Sequence, residues 1–116
     1  MNIKNLTIKE ARKLLDSKEL SAVELAQSYL QNIEAKNTDL NAYLEVYSDV
    51  LEQAKKADEI IAKGEAKDLT GIPLAIKDNI LLKGRKVSAA SKILGNYTAT
   101  YDATVIEKLK DQNAVF

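Results

Sequence analysis

The sequence predicts an α/β fold: N-terminal helices followed by the first strands of a mixed, largely parallel sheet, truncated. Three observations carry that expectation. Apolar residues in the first half recur at helical spacing. A short continuous apolar run at 72–76 has the composition of a strand buried on both faces, the parallel-sheet pattern. The closing "AVF" at 114–116, after a last helical segment, reads as the opening of a second buried strand. A parallel strand–crossover–strand unit needs both strands complete, and the second stops after about three residues. The chain is therefore expected to be the N-terminal portion of a larger α/β protein.

Each element has its own local warrant. Thr7 with Glu10 forms a capping box, and Ala11, Leu14 and Leu15 give a short apolar stripe behind it. Ser21 with Glu24 forms a second box. The stripe that follows, Ala22, Leu25, Ala26, Tyr29, Leu30 and Ile33, predicts an amphipathic helix ending near Lys36-Asn37. "NAYLEVY" alternates, with Ala42, Leu44 and Val46 on one face and Tyr43, Glu45 and Tyr47 on the other, which predicts a short strand or extended segment over 41–47. Ser48 is placed to cap a third helix striped by Val50, Leu51, Ala54, Ala57, Ile60 and Ile61, with Gly64 as its stop. Thr70-Gly71 turns into the 72–76 run, where Pro73 stands near the strand's start. Residues 83–100 are rich in Ser, Thr, Ala and Gly and read as irregular. A last helix is expected from about Asp102, burying Val105, Ile106 and Leu109, with Asn113 in the left-handed position after its end.

Bulk properties exclude several functions. The 116 residues carry 17 basic and 17 acidic side chains, interspersed, so there is no polybasic footprint for nucleic acid. Five tyrosines and one phenylalanine, with no tryptophan, make a poor stacking platform for single strands. Cysteine and histidine are both absent, which removes disulfides, thiolate metal sites and the commonest general base. No metal site is expected. No apolar run approaches the roughly 20 residues of a membrane span, and the N-terminus lacks a signal-type core. A cytoplasmic protein is the expectation.

Acid–base chemistry then rests on Lys, Asp, Glu, Tyr or an activated hydroxyl, and one block suggests where. In "GIPLAIKDNI", residues 71–80, an apolar run ends abruptly on Lys77, Asp78 and Asn79. Open α/β sheets place ligands at the carboxyl ends of their strands. A lysine desolvated there can act as a general base on a serine hydroxyl. Spacing alone leaves open the plainer reading of Lys77 as a solvated charge where a strand leaves its sheet.

The block resembles the G-I-P-[IL]-A-I-K-D-N motif of the amidase signature family, without a break from Gly71 to Ile80. "SAASKIL", "YDATVIEKLKDQNAVF" and the opening "LTIKEARKLLDSKELSAVELAQSYLQ" extend the resemblance over essentially the whole chain, in wording most similar to the A subunits of glutamyl-tRNA(Gln) amidotransferases. The resemblance implies the N-terminal portion of an amidase domain. Residues 1–68 would be its helical segment, and 69–116 the start of the sheet core with the catalytic-lysine strand. It implies a Ser–cis-Ser–Lys triad with Lys77 as the lysine, while Asp78 and Asn79 hold the loop by side-chain hydrogen bonds. In the family both triad serines lie further along than Phe116. Ser88 and Ser91, in a loop without a nucleophile-elbow pattern, are not expected to replace them, so the chain alone is expected to be inactive. The substrate pocket is not assigned.

The resemblance further implies a heterotrimer with B and C subunits. Glutamine would be the amide donor, and tRNA would be met through the complex rather than through this segment. No cofactor is expected on this segment. ATP and Mg²⁺ would belong to the partner subunit, since no phosphate-cradling Gly-rich loop occurs here. Two other readings stand beside this one: an amidase-signature enzyme acting on another small amide, and a non-catalytic helical interaction module whose open sheet edges self-associate.

Overall fold

The computed structural model describes residues 2–116. Four helices occur in it: α1 (Ile8–Asp16), α2 (Ala22–Leu40), α3 (Val50–Ala62) and α4 (Thr104–Asp111). The chain divides into two units. One comprises residues up to Leu74 together with Gln112–Phe116, and the other Ala75–Asp111.

The first unit is helical, and its helix starts follow the sequence. Thr7 and Ser21 each accept from the backbone N–H three residues on, while Glu10 and Glu24 reach back to the cap residue, so both capping boxes are complete. The ends differ more. Helix α2 runs past Asn37 to Leu40, because the left-handed stop is Asn41 at φ 50°. Asn37 instead uses its carboxamide on Tyr43, donating to its carbonyl and accepting from its N–H, each at 2.9 Å. Helix α3 starts after Asp49 rather than Ser48, with no side-chain cap bond. It stops as expected at Gly64, φ 75°, where Gly64 N–H reaches Ile61 and Glu65 N–H reaches Ile60, the two bonds of a Schellman end. Helix α1 ends with the same two-bond pattern, but with Lys18 in the left-handed position at φ 60°.

Small residues let these helices approach closely. Ala11, Ala22, Ala26, Ala54 and Ala57 are buried with Leu15, Leu25, Val50, Ile72 and Val115 in one apolar cluster. Asp58 on α3 caps α2 from outside, its carboxylate accepting from Ala22 N–H at 2.6 Å and Val23 N–H at 3.2 Å. Thr70 is fully buried: its hydroxyl accepts from Lys67 N–H and donates to the Gln112 carbonyl, both at 2.8 Å, while its carbonyl accepts from Arg12. Gly71, at φ 78°, sits so close to α2 that a Cβ there would lie 2.9 Å from the Ala22 Cβ.

The expected parallel pairing is present but minimal. Pro73 and Val115 form a parallel bridge, with Leu74 N–H donating to Val115 O and Val115 N–H to Ile72 O. Both ladder bonds use the residues flanking Pro73, so its missing N–H costs nothing. Gln53 continues the pattern with a side chain, its carboxamide donating to the Phe116 carbonyl and accepting from its N–H. Two expectations are corrected. Burial on both faces does not extend across 72–76: Ile72 is buried, but Ala75 is exposed. Residues 41–47 form no strand: Asn41 is left-handed at φ 50°, the chain bends at Leu44, and Leu44 is 69% exposed. Alternation predicts an extended backbone there, but a strand also needs a partner for its N–H and C=O groups.

The second unit is mostly turns. Residues 83–100 are not wholly irregular: Lys86 and Thr98 form an antiparallel bridge, flanked by Val87 N–H to Tyr97 O and Ala99 N–H to Arg85 O. Asp102 does not cap α4. Its carboxylate accepts from Lys83 N–H and from the Lys110 ammonium, each at 2.7 Å, and the helix opens from the Ala103 carbonyl. Ile106 is fully buried, whereas Val105 is 48% exposed, contrary to the expected stripe. In so short a helix the buried arc is too narrow to take both. Asn113, which follows Gln112 into the first unit, takes the left-handed conformation at φ 57°, as expected.

Candidate functional site

The polar end of the 71–80 block lies in the second unit as a turn. Ile80 N–H donates to the Lys77 carbonyl at 3.0 Å, which makes Lys77 the first residue of the turn and Asp78 the second. Lys77 and Asn79 are exposed and Asp78 is half-buried. Among the described residues no carboxylate pairs with the Lys77 ammonium.

Asp78 gathers a second loop. Its Oδ1 accepts from Ser88 N–H at 3.1 Å, and its Oδ2 accepts from the Ser88 hydroxyl at 2.5 Å and from Ala90 N–H at 3.0 Å. Its main-chain carbonyl accepts from Ala89 N–H at 2.7 Å, and Ser91 N–H closes the loop onto the Ser88 carbonyl at 2.8 Å. The two central residues, Ala89 and Ala90, both have left-handed backbone, φ 47° and 56°. Side chains with a Cβ resist that region, and strain of this kind costs on the order of 1 kcal/mol or more per residue. Hydrogen bonds from the Ser88 hydroxyl, Ala90 N–H and Ser88 N–H, in that order, hold the Asp78 carboxyl below its ordinary range.

The structure thus brings Asp78 together with Ser88 on the 88–91 turn, in chain continuity with Lys77. It engages the Ser88 hydroxyl with a carboxylate rather than with a base–nucleophile pair. Ser88, Ala89 and Ala90 as partners of Asp78 are invisible to sequence spacing. "SAAS" advertises only small side chains, and nothing in it signals consecutive left-handed residues. Among the described residues no group of three or more His, Cys, Asp or Glu is arranged to hold a metal ion, and no helix is long and apolar enough to cross a membrane. An open groove of about 380 Å³ on the helical unit is lined by Ile8, Arg12, Asp16, Lys67 and Asp68 and includes none of the 77–79 residues.

Similarity to known proteins places the chain. A family model described as Amidase matches residues 24–116, and the chain belongs to the amidase family. It is 49% identical over 116 residues to the A subunit of the glutamyl-tRNA(Gln) amidotransferase from Ruminiclostridium cellulolyticum, covering 99% of this chain and 24% of that relative. The corresponding A subunit from Burkholderia thailandensis is 50% identical over 110 residues, covering 94% of this chain and 22% of the relative. Among solved structures, the native peptide amidase from Stenotrophomonas maltophilia superposes with a TM-score of 0.92 at 30% identity, covering 98% of this chain and 24% of that one. The chain spans about a quarter of the length of the curated relatives it matches. The amidase-signature fold expected from the sequence is therefore the fold observed, in its N-terminal helices and first parallel pairing.

Proposed function

We propose that this chain is the N-terminal part of the glutamine-hydrolysing subunit of an ATP-dependent Glu-tRNA(Gln) amidotransferase, in which Lys77 is the general base of a Ser–cis-Ser–Lys triad. The observation that carries the reading is the unbroken 71–80 block, whose apolar run ends on an exposed lysine at the head of a defined turn, in a chain of the amidase family. The higher identity to the amidotransferase relatives than to the peptide amidase supports glutamine as the amide over other small amides.

On this reading Lys77 takes the proton of the nucleophilic serine through the bridging serine, and both serines come from a part of the protein outside these residues. A neutral amine is a competent base for that relay. The acyl-enzyme is hydrolysed and the ammonia is passed to the partner subunit, which with ATP and Mg²⁺ activates Glu-tRNA(Gln). The B and C subunits complete the assembly, tRNA is met through the complex, and the setting is cytoplasmic. The 116 residues carry the base without its nucleophile and are inactive alone.

The test is Lys77→Ala in the full-length protein, in complex with its partners. Loss of a general base that also completes a proton relay should lower glutamine hydrolysis by at least about 10³-fold. Ammonia release within a few-fold of wild type would sink the assignment.

A further inference from the structure

We infer that Asp78 is a positioning residue for Lys77: clamped to the 88–91 turn, it fixes the backbone from which the lysine projects and holds its own charge away from the amine. This rests on the reading of Lys77 as the base.

Four hydrogen bonds converge on this one residue. Ser88 N–H, the Ser88 hydroxyl and Ala90 N–H use its carboxylate, and Ala89 N–H uses its carbonyl. The turn they hold contains two consecutive left-handed alanines. Neither is glycine, and neither has a polar side chain to stabilise that backbone locally, so the conformation persists because neighbouring groups over-determine it. The group that does so stands next to Lys77 in sequence, at the second position of the turn that Lys77 opens. The dihedral angles of that position set the direction in which the chain enters and leaves the turn.

The clamp has an electrostatic side as well. A carboxylate next in sequence to a lysine is the obvious ion-pair partner for its ammonium. Here both carboxylate oxygens are already engaged by donors of the 88–91 turn, and among the described residues the Lys77 amine pairs with no carboxylate. A lysine that must exchange protons with a serine relay is served by a fixed backbone and by an adjacent charge that is already committed elsewhere. Asp102 makes a useful contrast: its carboxylate also gathers a distant backbone N–H, but it takes the Lys110 ammonium with its other oxygen.

The experiment is steady-state glutamine hydrolysis by the full-length protein in its complex, comparing wild type with Lys77→Ala, Asp78→Asn and Ser88→Ala. Misplacement of a catalytic group by about 1 Å costs on the order of 10²-fold, so folded Asp78→Asn should lose about 10²-fold in kcat with KM within threefold. Ser88→Ala removes the hydroxyl bond but keeps both backbone bonds to the carboxylate, and should lose about tenfold in kcat. It carries the test if Asp78→Asn does not fold. A turn that serves stability alone would leave kcat per folded molecule unchanged in both variants. If Lys77→Ala is inactive while folded Asp78→Asn or Ser88→Ala keeps kcat within threefold, or loses only KM, the base stands and the positioning role is overturned. If Lys77→Ala stays active, the base assignment fails and the positioning role fails with it.

Discussion

The two units of this chain reach order by opposite means. Residues up to Leu74, with Gln112–Phe116, are built on burial: small side chains let helices close on two leucines, two valines and an isoleucine, and hydrogen bonds finish the ends. Residues 75–111 contain one short helix, and two aspartates there act as framework, Asp78 gathering the 88–91 turn and Asp102 tying Lys83 to Lys110. The lesson is that a family motif can straddle two kinds of structure. In the 71–80 block Gly71 and Ile72 serve packing, while Lys77, Asp78 and Asn79 form a hydrogen-bonded turn.

The sharpest way to break the packed unit is Gly71→Ala. The new Cβ would lie 2.9 Å from the Ala22 Cβ, on a helix start that cannot give, and the residue would be held at φ 78°. Left-handed strain and overpacking add, for an expected loss of about 3 kcal/mol. Denaturant unfolding followed by circular dichroism measures it, and a loss below about 1 kcal/mol would show that the close approach is not tightly packed.

This glycine also shows what was legible beforehand. A turn at Thr70-Gly71 could be read from the sequence, and so could both capping boxes, because those signals are local and chemically specific. That the glycine touches Ala22, and that the Thr70 hydroxyl bonds to the Gln112 carbonyl, depends on segments far apart in the chain. The same limit holds for 41–47, where alternation cannot say whether a strand finds a partner, and for the Ser48 and Asp102 caps, where a suitable residue is present but another geometry prevails. At the candidate site, Lys77, Asp78 and Asn79 were legible through the motif. The Ser88 and Ala90 contacts of Asp78 were not, since these residues stand ten and twelve positions further along, on a turn whose two left-handed alanines nothing in the sequence signals.

The turn-built unit is best tested with acid. Asp78 and Asp102 are both held below the ordinary aspartate range, Asp78 first by the Ser88 hydroxyl and Asp102 first by the Lys110 ammonium. A folded-state pKa below the unfolded one gives stability that is fully present above the unfolded value, about 3.9, and lost as pH falls through the depressed folded values. Glu10 and Glu24 are lowered by their capping boxes as well, but they guard helix ends whose core remains buried. Amide exchange corrected for intrinsic rates should therefore rise first at Lys83, Ser88 and Ala90 below about pH 3.9, while Leu25 and Ala26 stay protected. Simultaneous loss in both units would mean that the carboxylates do not frame the second unit separately.

The smallest effect gives the closest comparison, because each unit holds a non-glycine residue in nearly the same left-handed conformation: Lys18 at φ 60° ends α1, and Ala90 at φ 56° sits under Asp78. Glycine relieves roughly 1–2 kcal/mol of local strain at such a position and gives back about 0.4–1 kcal/mol through the freer unfolded chain. Lys18→Gly should stabilise the protein by about 0.5–1 kcal/mol, since the Schellman bonds that surround it come from the backbone and survive the change. Ala90→Gly should gain a similar amount in thermal unfolding, because its N–H bond to Asp78 is likewise kept. A gain at Lys18 with a loss at Ala90 would break the parallel: the alanine side chain itself would then be holding the turn, and the clamp would owe less to Asp78 than its hydrogen bonds imply.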